Sequence, residues 1–333
     1  MDKEIDIIIP AYKSQTTIIK TLSSIVVQSI ADKCKVTIVN DCDGIGYEGV
    51  YEQFKSFLDI QIINLPVNSG PGVARQTGID NTDCKYIVFA DADDTFYGDF
   101  ALEILYNEIE KYPKISAVFA QHYLEERKPD LKMVVFGFNY VWMFAKIYRR
   151  EIIKKYEIRL SNSRANEDVS FNRCLKLVCS NDEESPIFVE VPVYMWHDNL
   201  NSITRSINDF IVNENISGYV ENMIYALKRA EPYLRGVSKQ IFTKEVIITM
   251  TDCYLFYYES FVQKPEYGPN NFRWMVKFYK EFFEIVELSL PLEYINGVVL
   301  ETLKSKKEIY TNFIPEETFK QFMNRIREAA NEQ

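Results

Sequence analysis

Residues 86–95 read YIVFADADDT, in which an apolar run is followed at once by three aspartates. The apolar part, from Tyr86 to Ala90, has the length and the β-branched and aromatic composition of a buried strand. Asp91, Asp93 and Asp94 then place three carboxylates within four positions. An acidic cluster alone is typical of a solvated turn, so its meaning depends on the surrounding segments.

The first half of the chain alternates strand and helix patterns. Extended apolar runs lie at 5–10, 36–39, 60–65 and 86–90, and helical patterns lie between them at 16–30, 48–58 and 71–79. This alternation predicts an α/β fold with a Rossmann-like, mostly parallel sheet flanked by helices. Because ligands of such sheets bind beyond the carboxyl ends of the strands, we expect Asp41 and Asp91, which both follow strand ends, to lie at a site.

Composition narrows the class of protein. The 333-residue chain carries a net charge of −10, which argues against a general affinity for nucleic acid. Its apolar runs are too short for a transmembrane segment, and its N-terminus lacks a signal-peptide pattern. Six cysteines without a CxxC pair and only two histidines predict reduced thiols and no zinc site. These features favour a cytoplasmic protein, and they leave open a peripheral attachment to the inner face of the membrane.

The last third of the chain has a different sequence pattern. From about Asn208 onward, helical patterns rich in aromatic residues dominate, at 244–261, 272–288 and 316–330. We therefore predict two domains, an α/β domain at 1–207 and an all-helical C-terminal domain at 208–333. Packing in a small bundle is the default explanation of the aromatic residues. Acceptor binding, docking on the first domain and homo-oligomer formation through these helices stay open.

Four segments, taken in order, resemble family 2 of the inverting GT-A glycosyltransferases. They are Ile8-Ile9-Pro10-Ala11-Tyr12, Val39-Asn40-Asp41, Asn68-Ser69-Gly70-Pro71-Gly72-Val73-Ala74-Arg75 and Asp91-Ala92-Asp93-Asp94. Each segment is weak evidence alone, but the ordered set at domain-scale spacing is specific. The resemblance covers roughly residues 5 to 205 and implies a GT-A fold for this part of the chain.

The resemblance also implies roles for individual residues. The last segment corresponds to the metal-binding DxD motif of the family, so Asp91 and Asp93 are expected to hold Mn²⁺ or Mg²⁺, which prefer oxygen ligands. The residues expected to bind the nucleotide-sugar are Pro10, Tyr12, Asp41, Asn68, Gly70, Arg75 and Asp91. For Arg75, an exposed helix arginine paired with an acid is the plain alternative.

Two later segments extend the resemblance. Asn166-Glu167-Asp168-Val169 resembles the Glu-Asp motif in which the aspartate is the catalytic base, so Asp168 is the expected base. The plain alternative is that Asn166 caps a helix at 169–177, with both acids in its first turn. Tyr194-Met195-Trp196-His197, followed by Asn201-Ser202-Ile203-Thr204, is similar to the closing strand and acceptor-side loop.

The two histidines are weaker candidates. His197 is expected to complete the metal site or to contact the diphosphate, and a hydrogen-bonded structural role is its alternative. His122 follows the apolar run at 117–120 and is interpreted as structural or acceptor-side.

Together, these residues predict a metal-dependent inverting glycosyltransferase. It would move a sugar from a nucleoside-diphosphate donor to a hydroxyl of a glycan or glycopolymer, and a UDP-sugar is favoured because the family uses it most often. A degenerate nucleotide- or glycan-binding scaffold is one alternative, against which the retained Asp91, Asp93 and Asp168 argue. A sugar nucleotidyltransferase is another, but it usually needs a glycine-rich basic loop where this chain has Pro10-Ala11-Tyr12-Lys13-Ser14.

Overall fold

The computed structural model describes residues 3–126, 132–137, 139–180, 183–198, 209–263, 265–306 and 317–332. The chain divides into two compact units, Met1–Arg205 and Ser206–Gln333. Among the described residues, the first unit holds the strands and helices α1 to α6, and the second holds helices α7 to α12.

The strands of the first unit form one sheet. They are β1 (Ile5–Ala11), β2 (Cys34–Asn40), β3 (Asp59–Asn64), β4 (Tyr86–Phe89), β5 (Thr95–Phe96), β6 (Ala117–Glu126), β7 (Lys132–Phe136), β8 (Lys146–Arg149) and β9 (Ile187–Trp196). The strand order is β3-β2-β1-β4-β8-β6-β9-β5, and β7 pairs with β6 beside this path.

The helices of the first unit are α1 (Ile18–Val26), α2 (Glu48–Phe54), α3 (Pro71–Asp80), α4 (Ala101–Lys111), α5 (Arg150–Lys155) and α6 (Glu167–Val178). Those of the second unit are α7 (Asp209–Ala230), α8 (Val237–Gln263), α9 (Gly268–Phe278), α10 (Glu284–Ser289), α11 (Leu292–Ser305) and α12 (Phe319–Asn331). Short 3-10 turns lie at Ala31–Lys33, Glu231–Tyr233 and Pro265–Tyr267, and a π-helical turn at Tyr279–Phe283 joins α9 to α10.

The predicted parallel arrangement is present in β1 to β4. Strand β1 pairs in parallel with β2 and with β4, and β2 pairs in parallel with β3. The second half of the sheet is mixed, since β8 runs antiparallel to both β4 and β6, whereas β6 and β9 are parallel. The α/β fold with a helical C-terminal region is therefore confirmed, and the parallel pairing is concentrated where the sequence alternates strand and helix.

Both faces of β1, β2 and β4 are largely buried, which explains their mostly apolar sequences, whereas β3 at the end of the strand order is more exposed. Helices α1 and α4 bring Leu22 and Leu105 to the face that carries Ile7 and Val88, and all four are fully buried. The opposite face packs on α3 and α6. Gly78 of α3 lies so close to the sheet that an added Cβ would be 2.4 Å from Ile8 Cγ2.

The second unit is a bundle with an aromatic core. Phe278, Phe283 and Phe322 are fully buried, and Tyr254 contacts Phe322 at 5.5 Å between ring centroids. These contacts match the default explanation of the aromatic residues as bundle packing. The helix expected at 272–288 is divided by the π-helical turn, and the last helix begins at Phe319 with a Thr318 capping box.

Within the described ranges, no helix combines the length and apolar character that a membrane span requires.

Candidate active site

Arg75 connects two acidic motifs that are distant in sequence. Its Nη2 donates to Asp91 Oδ1 at 2.7 Å, and its Nη1 donates to Glu167 Oε1 at 2.5 Å. The Arg75 and Glu167 side chains are 9% and 8% exposed, so their ion pair is shielded from water, whereas Asp91 is 32% exposed. The carboxylates of Asp91 and Glu167 keep the guanidinium charged although burial opposes that charge. Arg75 is thus paired with acids, as the plain alternative expected, but it is buried and not exposed.

The segment before Arg75 is shaped by glycines. Gly70 has φ +89°, which glycine adopts without strain, and helix α3 begins directly after it with Pro71. Gly72 lies against α6, because an added Cβ would stand 2.8 Å from both Ser161 O and Glu167 Cγ. This close approach allows the first turns of α3 and α6 to meet.

Asp41 supports this glycine segment. Its Oδ1 accepts the backbone N–H of Ser69 at 2.7 Å, and its Oδ2 accepts that of Gly70 at 2.8 Å. The carboxylate directly follows β2 and is buried. In this structure Asp41 therefore fixes the loop that contains Asn68 and Gly70, and each carboxylate oxygen has further capacity to accept a donor.

The end of β1 forms the neighbouring edge of the site. Pro10 pairs with Val39 in the sheet, and the Tyr12 ring is 47% exposed just beyond the strand. Asp43 fixes the adjoining turn. Burial acts to raise its pKa, but hydrogen bonds from the backbone of Ile45, Gly46 and Lys13 outweigh it and lower the pKa to about 2. Tyr12 thus offers an open aromatic face on a rigid turn.

Asp168 lies in the first turn of α6, next to the residue that Arg75 binds. Its Oδ1 accepts the backbone N–H of Val169 at 2.8 Å. Burial and the neighbouring carboxylate of Glu167 raise its pKa to about 7, against the opposing charges of Arg75 and Lys146. A carboxyl group with this pKa can accept a proton at neutral pH.

The start of α6 does not follow the capping alternative. Asn166 stands at the N-cap position but has φ +60°, and its side chain makes no capping hydrogen bond to the helix. The helix begins at Glu167, two residues earlier than the pattern suggested. Both acids still lie in the first turn, where the helix dipole favours negative charge.

The acidic tip after β4 crowds its charges. Burial, together with Asp91 and Asp93, raises the pKa of Asp94 well above its ordinary value. Asp94 Oδ1 accepts the backbone N–H of His197 at 2.8 Å, which fixes the tip to the end of β9. A divalent cation would offset this concentrated charge, and carboxylate oxygens are the ligands that Mg²⁺ and Mn²⁺ prefer.

His197 is oriented by a carboxylate. Its Nδ1 lies 2.8 Å from Glu125 Oε2, and its Nε2 lies 2.9 Å from Thr95 Oγ1. Burial lowers its pKa, so the ring is neutral at neutral pH. Because Glu125 can only accept, Nδ1 carries the proton and the Nε2 lone pair points to Thr95. A carboxylate behind a histidine is a common support for a metal ligand, and Asp91, Asp93 and His197 stay the predicted ligands of a divalent cation.

Among the described residues, no three His, Cys, Asp or Glu side chains form a group that could hold a metal ion. Mg²⁺ is usually held by one or two carboxylates together with substrate phosphates.

A family comparison bears directly on these segments. The family model described as glycosyl transferase family 2 matches residues 6–162, which include β1, the glycine segment and the acidic tip. Residues 6–162 are a family 2 glycosyltransferase domain. This confirms the resemblance, and the Glu167-Asp168 pair and His197 lie beyond the matched range.

Curated relatives match the family 2 domain over limited lengths. Glycosyltransferase GlyA of Streptococcus pneumoniae is 26% identical over 185 residues, which are 52% of this chain and 26% of that protein. Poly-beta-1,6-N-acetyl-D-glucosamine synthase of Staphylococcus epidermidis is 29% identical over 114 residues, 34% of this chain and 27% of that protein. The chain thus covers about a quarter of the length of each.

Solved structures share the fold over most of the chain. S. aureus TarS 1–349 in complex with UDP-GlcNAc has a TM-score of 0.66 at 17% identity and covers 93% of this chain and 92% of its own. Mannosyltransferase PcManGT from Pyrobaculum calidifontis, in complex with GDP-Man and Mn²⁺, has a TM-score of 0.52 at 12% identity, covering 94% and 89%. At these identities the likeness supports the GT-A fold alone.

Some residues of the site were not expected from the sequence. Glu125 orients His197, and the Tyr194 hydroxyl accepts the backbone N–H of Asp91 at 2.9 Å. Neither has a local sequence signal, because both act through contacts between segments that are distant in sequence. Lys146 did have a local sequence signal, because it is the single lysine within the apolar run from Trp142 to Tyr148. The expected acceptor-side loop, Asn201-Ser202-Ile203-Thr204, lies outside the described residues.

His122 is a core residue in this structure. It is buried, and its ring contacts those of Trp142 and Phe144 at 4.9 Å between centroids. Burial and the nearby Lys146 lower its pKa to about 4, so it is neutral under ordinary conditions.

Proposed function

We propose that this chain is a metal-dependent inverting glycosyltransferase that moves a sugar from a UDP-linked donor to a hydroxyl of a glycan or glycopolymer. One observation carries the proposal. Arg75 contacts Asp91 and Glu167 together, so the acidic tip that would face the diphosphate and the helix start that holds Asp168 belong to one site.

The transfer step needs a base opposite the leaving group. The acceptor hydroxyl gives its proton to the Asp168 carboxylate while its oxygen forms a bond to the anomeric carbon. The bond from that carbon to the diphosphate breaks, and its electrons remain on the diphosphate. Because attack and departure occur on opposite faces, the anomeric configuration inverts. The pKa of about 7 suits Asp168 to this task.

Asp91, Asp93 and His197 are the residues that would hold Mn²⁺ or Mg²⁺. When bound there, the cation supplies positive charge that stabilises the departing diphosphate. Arg75 holds Asp91 through a hydrogen bond, and Asp94 accepts a hydrogen bond from the backbone of His197 and so joins the acidic segment to the end of β9. The chain's own part is therefore to keep the carboxylates in place before the donor arrives.

The choice of UDP rests on the fold comparison, with which the side chains at the ends of β1 and β2 are compatible. S. aureus TarS, which has a TM-score of 0.66 to this chain, is described with UDP-GlcNAc, whereas the mannosyltransferase described with GDP-Man has a TM-score of 0.52. The exposed Tyr12 ring offers a stacking face, and Pro10 lies beside it at the end of β1. The remaining acceptor capacity of Asp41 would meet a ring N–H of the base.

For the acceptor we favour a glycopolymer. The name of the Staphylococcus epidermidis relative describes a polysaccharide synthase, and a Bacillus subtilis relative that is 29% identical over 96 residues is described as a putative teichuronic acid biosynthesis glycosyltransferase. We assign the helical unit to acceptor binding, docking or assembly, and the enzyme to the cytoplasm or the inner face of the membrane.

Two measurements test the proposal. UDP, GDP and ADP are screened for a rise in melting temperature with and without Mn²⁺, since a ligand that binds only the folded state stabilises it by mass action. UDP release from UDP-sugars is then followed with glycopolymer acceptors. We expect an Mn²⁺-dependent response to UDP and acceptor-dependent release. If no diphosphate raised the melting temperature, the proposal would be overturned. A rise in melting temperature without any sugar transfer would favour the degenerate binding scaffold.

A further inference from the structure

Lys146 is a buried cation close to the proposed base. It is 3% exposed in strand β8, between the apolar neighbours Ala145 and Ile147. Within the described part of the chain, no acid lies within ion-pair distance of its ammonium group. Burying an ammonium group without an ion-pair partner costs several kcal/mol, so a lysine at this position calls for a functional explanation.

The contacts of Lys146 lead to the helix that carries Asp168. Its Nζ donates to the carbonyl oxygen of Trp142, and the same oxygen accepts Asn172 Nδ2 at 3.1 Å. Asn172 follows Asp168 by four positions on α6, so the two side chains lie one above the other on the same helix face. The shared carbonyl therefore places the ammonium group beside the face of α6 that presents Asp168.

Two titratable groups face Lys146 from the packed elements, Asp168 of α6 and His122 of β6. His122 is neutral above about pH 4, so it does not compete for the ammonium charge. On its remaining side, Lys146 lies over the Phe119 ring at 4.8 Å. Asp168 is thus the acid with which this ammonium group interacts.

We propose that Lys146 is a positioning residue for the base, whose buried ammonium charge favours the ionised form of the Asp168 carboxylate and so lowers the pH at which it can take the acceptor's proton. This inference rests on the proposed function. Burial and Glu167 raise the pKa of Asp168 to about 7, and the charges of Arg75 and Lys146 both act to lower it. Burial lowers the pKa of Lys146 to about 7, so both groups titrate near neutrality.

The charge can be separated from the hydrogen bond by two substitutions. Lys146→Gln keeps an uncharged donor for the Trp142 carbonyl, whereas Lys146→Met removes charge and donor together. For each, kcat/KM for sugar transfer is measured from pH 5.5 to 9.5. We expect both variants to shift the acidic limb upward by about one pH unit. Activity at pH 6 then falls about tenfold and returns to near the wild-type value above pH 8.5.

Asn172→Ala serves as the matched control, because it removes the other donor to the Trp142 carbonyl and leaves the Lys146 charge in place. It should lower the melting temperature and leave the midpoint of the acidic limb unchanged. Lys146→Met places an apolar side chain at this buried position, so it should fold even if the polar Lys146→Gln variant does not.

The outcomes are distinct. A wild-type midpoint in active Lys146→Gln and Lys146→Met would overturn the inference and leave Lys146 as a tie between β8 and the Trp142 carbonyl. Folded variants that are inactive at every pH would overturn it as well, since lost charge alone is compensated at high pH. No transfer by the unmodified chain would overturn the proposed function first, and this inference with it.

Discussion

Arg75 and Glu167 lie 92 positions apart in sequence and are joined by a buried ion pair of 2.5 Å between Nη1 and Oε1. The other arm of the same guanidinium holds Asp91. One side chain therefore fixes the distance between the acidic tip after β4 and the first turn of α6. Any change at Arg75 should alter both parts of the site together.

We predict that Arg75→Met lowers the free energy of unfolding by about 3–5 kcal/mol, because it leaves the buried Glu167 carboxylate without its partner and removes the same partner from the partly exposed Asp91. Denaturant unfolding at pH 7.5 measures the loss. Arg159→Met is the control, since Arg159 pairs with Asp80 while both are more than 40% exposed, and such pairs contribute at most about 1 kcal/mol. Equal losses in the two variants would contradict the bridging role of Arg75.

Asp93→Ala should abolish sugar transfer and leave the fold intact, because the metal would be bound outside the core. Loss of the cation's charge should lower the rate at least about a hundredfold. The assay is UDP release, together with the Mn²⁺-dependent melting shift, which should disappear. Asp59→Ala, at an exposed position at the start of β3, is the control. Near-normal turnover of Asp93→Ala would remove the metal role.

Asp168→Asn should keep donor binding and lose transfer. The pKa of Asp168 is about 7 in the folded chain and ordinarily 3.8, so the ionised carboxyl destabilises the fold as pH rises from about 4 to 7. The asparagine side chain of the variant does not ionise, so it causes no loss of stability over this pH range. We therefore expect the variant to melt at a higher temperature than the wild type at pH 8, with little difference at pH 4. If Asp168→Asn lost its affinity for UDP, Asp168 would instead be a residue that binds the donor.

The transfer reaction of the unmodified chain should have an acidic limb near pH 7. A base must be deprotonated to act, and burial together with Glu167 raises the pKa of Asp168 to about 7, so kcat/KM rises with pH through this value. The melting shift caused by UDP and Mn²⁺ serves as the reference over the same range and should vary much less. A limb near pH 4 would show that the base is a solvated carboxylate.

Gly72→Ala should impair stability and transfer together. The added Cβ would meet Ser161 O and Glu167 Cγ at 2.8 Å, so α3 and α6 must separate, at a cost of about 1–3 kcal/mol. Gly49→Ala is the matched control in helix α2, because no atom lies within 4 Å of its added Cβ. There alanine should stabilise the helix by up to about 1 kcal/mol. A neutral Gly72→Ala would disprove the close contact.

Much of the fold could be predicted from local patterns. The runs that form β1, β2 and β4 are mostly apolar because both faces of these strands are covered, and the helical patterns between the first four strands predict parallel pairing. The mixed half of the sheet was not predictable in this way. Strands β6, β8 and β9 pair across long sequence separations, and no local signal states which strand lies beside which.

The same division applies to the site. The family, the acidic tip and the position of the base candidate could be determined from the sequence alone. Each is recognised from a short contiguous segment whose residue types the chemistry requires. Only the tertiary structure decided that Arg75 joins Asp91 to Glu167, that Asp41 holds the glycine loop and that Lys146 is buried near Asp168. Those relations depend on which side chains meet after folding, and the pKa of a carboxyl group depends on the charges and burial that folding brings to it.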